Sequence, residues 1–234
     1  FDGHAAMKQA RLIVVNDFTT LALALPGPPG GDLRQVGGKA AEPNAPIGLI
    51  GPGTGLGVSG LIPTGEPGRW APLQGEGGHV TLAATTAREY AVLSALRERF
   101  GHASAERAVS GSGLVWMHDA QCRVDGVAVP EGITAAAISA NALDGSDPRC
   151  VETLELFCGF LGSLAGDLAL TLGARGGIYI GGGIVPRLGE MFARSTFRAR
   201  MEAKGRFRGF IEPIPAFVIH ASVSPALLGA SRAL

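Results

Sequence analysis

Four polar clusters interrupt a mostly apolar, glycine-rich sequence, and their residue types suit phosphoryl transfer to a sugar. Asn16-Asp17 follow an apolar run directly. A carboxylate at the end of a strand can take the proton from a hydroxyl that attacks a phosphoryl group. The same Asp17 could cap the next helix, the commoner role of aspartate when nothing else is known. Gly53-Thr54-Gly55-Leu56-Gly57 is not a Walker A loop, because no Gly-Lys-Ser/Thr follows. Its glycines still let backbone N–H groups converge on an anion, and Thr54 adds a hydroxyl. Alone, the segment reads better as a hairpin turn. Glu76 and His79, in Gly75-Glu76-Gly77-Gly78-His79, could hydrogen-bond neighbouring sugar hydroxyls or simply line a polar loop. Glu106, in Ser104-Ala105-Glu106-Arg107, sits where the helix dipole favours a carboxylate whatever the function. Gly181-Gly182-Gly183 could admit a nucleotide to the backbone or make a strand-to-helix turn. A metal at Glu76 and His79 would need a third ligand, and no His/Cys spacing supplies one. His4, His102, His118 and His220 are isolated and carry no functional reading.

The elements that must position these clusters follow from periodicity and punctuation. Arg11–Val15, Pro46–Ile50, Gly177–Ile180 and Pro215–Ile219 read as buried strands, and Leu56–Ile62 as the return strand of a hairpin. Phe18–Leu25 reads as a short helix that cannot pass Pro26-Gly27-Pro28-Pro29-Gly30, a plausible domain boundary. Thr86-Ala87-Arg88-Glu89 is a capping box, predicting a helix to Phe100 that stops at Gly101. Ser104 is expected to cap a further helix closed by Gly111. Asp147-Pro148 has the N-cap and N1 pattern. Leu154, Phe157, Leu161, Leu164, Leu168 and Leu172 then recur at helical spacing, marking a long core helix. Pro225–Ala233 reads as a last helix. Strands alternating with helices make the class α/β.

Bulk properties bound the partners. At 234 residues the chain can bury a full core. With 20 basic and 20 acidic residues the formal net charge is zero, which gives no electrostatic case for nucleic acid or an anionic membrane. No apolar run reads as long enough to span a bilayer, and no signal peptide is visible at Phe1-Asp2-Gly3-His4. Cys122, Cys150 and Cys158 form no CxxC pair and fit small packing roles in a reducing cytoplasm.

The combination is more specific than its parts. VVNDF, GPGTGLGV, GEGGHV, SAERAVSG, GGIYIGGGIVPR and KGRF occur in that order. Together they resemble the bacterial-type ATP-dependent glucokinases of the hexokinase–actin ATPase superfamily. The resemblance implies a two-domain actin-like ATPase (ribonuclease H-like) fold with the site between the domains. It implies transfer of a phosphoryl group from Mg²⁺-ATP to the 6-hydroxyl of glucose, giving glucose 6-phosphate and ADP at the start of glycolysis, in the cytoplasm. Asp17 is then the general base, and Asn16, Asp17, Glu76, His79 and Glu106 the glucose ligands. Gly53, Thr54 and Gly55 form the second phosphate loop, and Gly181, Gly182 and Gly183 lie near the adenosine. A homodimer is compatible with the family.

The family normally opens with a strand and a DxGGTN-like first phosphate loop upstream of NDF, and no such motif occurs here. The expectation is therefore a small domain truncated at its N-terminus. Residues 1–27 and 221–234 would be its remnants and 28–220 the large α/β domain, with no metal ligand assigned. The alternative is a non-catalytic sugar-binding or regulatory protein on the same scaffold. A ROK-type sugar kinase ranks below both, since its cysteine-rich zinc motif is not present.

Overall fold

The β-branched and leucine-rich runs come together in one sheet. The computed structural model describes residues 32–66 and 68–220. Asn16, Asp17, the strand and helix read around them, the last helix and both small-domain remnants lie outside the described residues. Six strands, β1 (Asp32–Gln35), β2 (Ile47–Pro52), β3 (Leu56–Pro63), β4 (Trp70–Gln74), β5 (Ile178–Ile180) and β6 (Ala216–His220), join in the order β1-β6-β5-β2-β3-β4. β2, buried along its whole length, runs parallel to β5, and β5 parallel to β6. β3 and β4 extend the sheet antiparallel on one side, and β1 pairs antiparallel with β6 on the other. Alternation along the strands makes two faces. Ile50, Ile180 and Val218 enter the main helical core, while Leu49, Tyr179 and Ile219 form a second cluster with Leu61.

Four longer helices build the core over the first face, α1 (Ala87–Phe100), α2 (Gly111–Val124), α3 (Ala135–Asp144) and α4 (Pro148–Leu172): α4 lies on β2, α2 and α3 pack on α4, and α1 packs on α2. Short helices α5 (Val185–Leu188), α6 (Glu190–Arg194), α7 (Phe197–Glu202) and α8 (Arg208–Ile211) follow. α4 starts as the sequence predicts, with the Asp147 carboxylate accepting from the Arg149 N–H at 2.8 Å and Pro148 in the first turn. Its Leu154, Phe157, Phe160 and Leu161 are fully buried. By length and composition this helix could cross a bilayer, which corrects the expectation that no segment could; here 67% of its most apolar window is buried inside the molecule. Gly162 lets α7 approach, since a Cβ there would collide with the Phe197 carbonyl oxygen.

Two helix starts differ from the sequence reading. Thr86 caps α1 through the Glu89 N–H, at 3.1 Å, but the Glu89 carboxylate reaches past the cap to the Thr85 N–H and hydroxyl. Arg200 of α7 draws it there with a buried ion pair, and also donates to Ser163 of α4. Burial alone would raise the Glu89 pKa, but the Arg200 and Thr85 hydrogen bonds outweigh it and hold the carboxyl below its ordinary value. The helix expected between Ser104 and Gly111 is one 3₁₀ turn, Ala105–Arg107. Gly111 begins a helix rather than ending one, because the Ser110 hydroxyl caps it by accepting from the Gly113 N–H.

Candidate active site

The two glycine loops meet at the carboxyl ends of adjacent parallel strands. Gly53-Thr54-Gly55 leaves β2, and Gly181-Gly182-Gly183 leaves β5. The Gly181 N–H donates to the Ile50 carbonyl at 2.8 Å, so the second loop begins against β2. Gly182 has φ +78°, and a Cβ there would strike the Pro52 carbonyl oxygen, so only glycine lets these loops lie this close. Among the described residues, no atom lies within 4 Å of where a Cβ would stand at Gly53 or Gly183. Packing among the described residues therefore does not ask for glycine at those two positions, and close approach of a ligand is a use that fits. Crevices at the carboxyl ends of strands are the usual ligand sites of α/β sheets.

Glu106 joins this cluster through the backbone. The 3₁₀ turn that carries it is held to the loop by two bonds. Its Oε2 accepts from the Leu56 N–H at 2.9 Å, and the Gly111 N–H donates to the Gly53 carbonyl at 2.8 Å. The segment bearing Glu76 and His79 is stitched on in turn. The Ala105 N–H donates to the Val80 carbonyl at 2.9 Å and the Leu82 N–H to the Ala103 carbonyl at 3.0 Å. Buried Gly78, in the 3₁₀ turn Gly77–His79, lies against the Leu56 carbonyl with no room for a Cβ. Glu76 and His79 themselves are exposed, as is Thr54, so their polar atoms face solvent. All the candidate residues from Gly53 to Gly183 thus converge on one end of the sheet. The anchoring of the loop by Glu106 and Gly111 was not read from sequence, since no local pattern signals a bond across 50 residues.

A second polar group lies elsewhere. Its members are His118, Asp147 and Cys150, at the α2–α4 contact, so His118 is not isolated. It is the one set of three or more His, Cys, Asp or Glu donors within mutual reach among the described residues. Nitrogen and sulfur donors do not suit Mg²⁺, which prefers oxygen.

Comparison with known proteins places the chain. A family profile described as Glucokinase matches residues 4–234. The chain belongs to the glucokinase family. A glucokinase from Aromatoleum aromaticum is 58% identical over 225 residues, covering 96% of this chain and 67% of that protein. The crystal structure of a glucokinase from an Antarctic psychrotroph superposes with a TM-score of 0.88 at 36% identity, covering 98% of this chain and 70% of that one. A ROK family glucokinase from Streptomyces griseus, in complex with glucose and AMPPNP, has a TM-score of 0.61 at 20% identity, covering 97% and 69%. That likeness shows a shared α/β fold. The chain spans about two thirds of the length of the curated glucokinases it matches.

Proposed function

We propose that this chain supplies the sugar site and the second phosphate loop of a glucokinase, with Asp17 as the base. The convergence of the two glycine loops with Glu76, His79 and Glu106, in a chain of the glucokinase family, carries the reading. Asn16, Asp17, Glu76, His79 and Glu106 would bind the glucose hydroxyls. A site that satisfies each hydroxyl rejects an analogue lacking one, because a buried partner is left unpaired. The Asp17 carboxylate takes the proton of the 6-hydroxyl as that oxygen attacks the terminal phosphorus of ATP. The phosphorus–oxygen bond to ADP breaks, leaving glucose 6-phosphate. Gly53-Thr54-Gly55 would hold the phosphates and Gly181-Gly182-Gly183 border the adenosine, and positioning supplies most of the acceleration.

Mg²⁺ neutralises phosphate charge when it accompanies ATP. The described residues gather no oxygen-rich carboxylate set to hold it, so no step is assigned to it. A two-domain molecule that closes on glucose would exclude water as a competing acceptor. The three free, buried cysteines suit a reducing, cytoplasmic setting.

The test is glucose-dependent ADP release, with Asp17→Asn beside the parent. The substitution is expected to lower turnover by about 10²- to 10⁴-fold while glucose affinity, read by calorimetry, holds. Near-normal turnover would remove Asp17 as the base. Glucose binding without any ADP release by the parent would favour a sugar-binding or regulatory role.

A further inference from the structure

The α2–α4 contact holds a group that sugar phosphorylation does not use. His118 and Cys122 lie one turn apart on α2, with Nδ1 and Sγ 3.9 Å from each other. Asp147 and Cys150 lie one turn apart at the start of α4. A ring nitrogen of His118, a carboxylate oxygen of Asp147 and the sulfur of Cys150 all fall within 4.8 Å of one another. His118 is 1% exposed, Cys122 1% and Cys150 0%. The pattern is His-x₃-Cys facing Asp-x₂-Cys, two donors from each of two helices.

Packing and capping account for Cys122, Cys150 and Asp147, but not for the polar end of His118. Among the described residues, His118 Nε2 and Gln121 Nε2, both on α2, are buried with no hydrogen-bond partner. Each such orphan costs about 1–3 kcal/mol, which an apolar side chain of similar size would avoid. A Cys-His-Asp nucleophile is ruled out by access, since both thiols are buried and burial pushes Cys150 up to about 11, well short of a thiolate at neutral pH.

We propose that His118, Asp147 and Cys150, joined by Cys122 from beside His118 Nδ1, form a binding site for a thiophilic divalent cation of the Zn²⁺ class. Nitrogen, two sulfurs and one carboxylate are donors that such an ion prefers, in the number that a closed tetrahedral site needs. With bonds of about 2.0–2.3 Å, tetrahedral donors stand roughly 3.3–3.8 Å apart. His118, Asp147 and Cys150 need to contract by about 1–1.5 Å, and Cys122, which lies outside that group, must turn toward it by side-chain rotation. The Asp147 cap uses Oδ1, which accepts from the Arg149 and Cys150 N–H groups, so the capping role and the ligand role can use different oxygens. Two thiolates and a carboxylate around a dication leave one net negative charge. Arg149, which pairs with Asp125, carries the nearest positive charge. The ion would pin α2 to the start of α4.

Cobalt titration of the purified protein, without nucleotide or sugar, tests this. One equivalent of Co²⁺ should give thiolate-to-cobalt charge transfer and the intense red-region bands of a tetrahedral centre. Zn²⁺ should abolish them and raise Tm. Cys150→Ser and Cys122→Ser should each lose the cobalt spectrum or weaken binding at least about tenfold, with far-UV circular dichroism unchanged. Should a variant lose its fold, protection of both thiols of the parent by Zn²⁺ from alkylation in urea, where they become accessible, replaces it. Absence of thiolate charge transfer, a spectrum that survives both substitutions, or thiols that stay unprotected would overturn the site. Glucose binding measured on the same samples keeps this outcome separate from that of the kinase reading.

Discussion

Glu106 serves the loop and, in the proposed function, the sugar, and the two roles can be separated. Its Oε2 accepts from Leu56 N–H. In Glu106→Gln an amide oxygen can still accept that bond, but the charge that strengthens a sugar hydrogen bond is gone. The expected result is a glucose KM raised about 10- to 100-fold, the equivalent of 1.5–3 kcal/mol, with the ATP KM little changed. Glu106→Ala removes both bonds, so both KM values should rise. Steady-state kinetics in each substrate decides, and equal effects of the two substitutions on ATP would deny the loop role. Glu89 is the other residue with a measurable share. It is 3% exposed and paired with Arg200. Glu89→Ala strands that guanidinium, and should cost about 3–5 kcal/mol in urea unfolding without altering the sugar-binding residues.

At the scale of elements, the α4–α7 contact depends on small side chains. A methyl at Gly162 meets the Phe197 carbonyl oxygen, which belongs to backbone and cannot swing aside. Gly162→Ala should therefore destabilise by roughly 1–3 kcal/mol, although alanine is the better helix former. A stability gain in thermal melts would mean α7 yields freely. Elements that carry their own punctuation were legible in the sequence. The β2–β3 hairpin, the Thr86 cap and the Asp147-Pro148 start all stand where predicted, within a residue or two. β4 was not, because Trp-Ala-Pro-Leu-Gln is short, has no β-branched residue and contains proline; pairing with β3 decides it. α2 was missed because Gly111 was read as a stop, whereas Ser110 makes it a start. The site was legible as a set of loops but not as an assembly. Its members meet through bonds such as Gly111 to Gly53, which depend on sheet register and leave no local trace.

Over the whole molecule, acid sensitivity follows from carboxylates held low. The Arg88 and Arg149 hydrogen bonds hold Asp125 well below the carboxylate range, and the Arg200 and Thr85 bonds hold Glu89 below its ordinary value of 4.5 against the effect of burial. A depressed folded pKa contributes stability that is complete above the unfolded value and lost as pH falls through the folded one. Melting temperature should be flat from neutrality to about pH 5 and fall below it. The decline should be smaller in Glu89→Gln, which is already less stable at neutral pH. Equal declines in both would show that other groups govern the acid transition. The pairing of Asp32 with His220 on the β1–β6 edge has a different consequence. Positions 32 and 220 are register partners, so a chain cut at both would have its two ends side by side. A gene could therefore be rewired, with a short glycine linker from 220 to 32 and new termini opened in the exposed stretch around Val129 and Pro130. Such a circular permutant should keep the same backbone amide protection across β2 and β5.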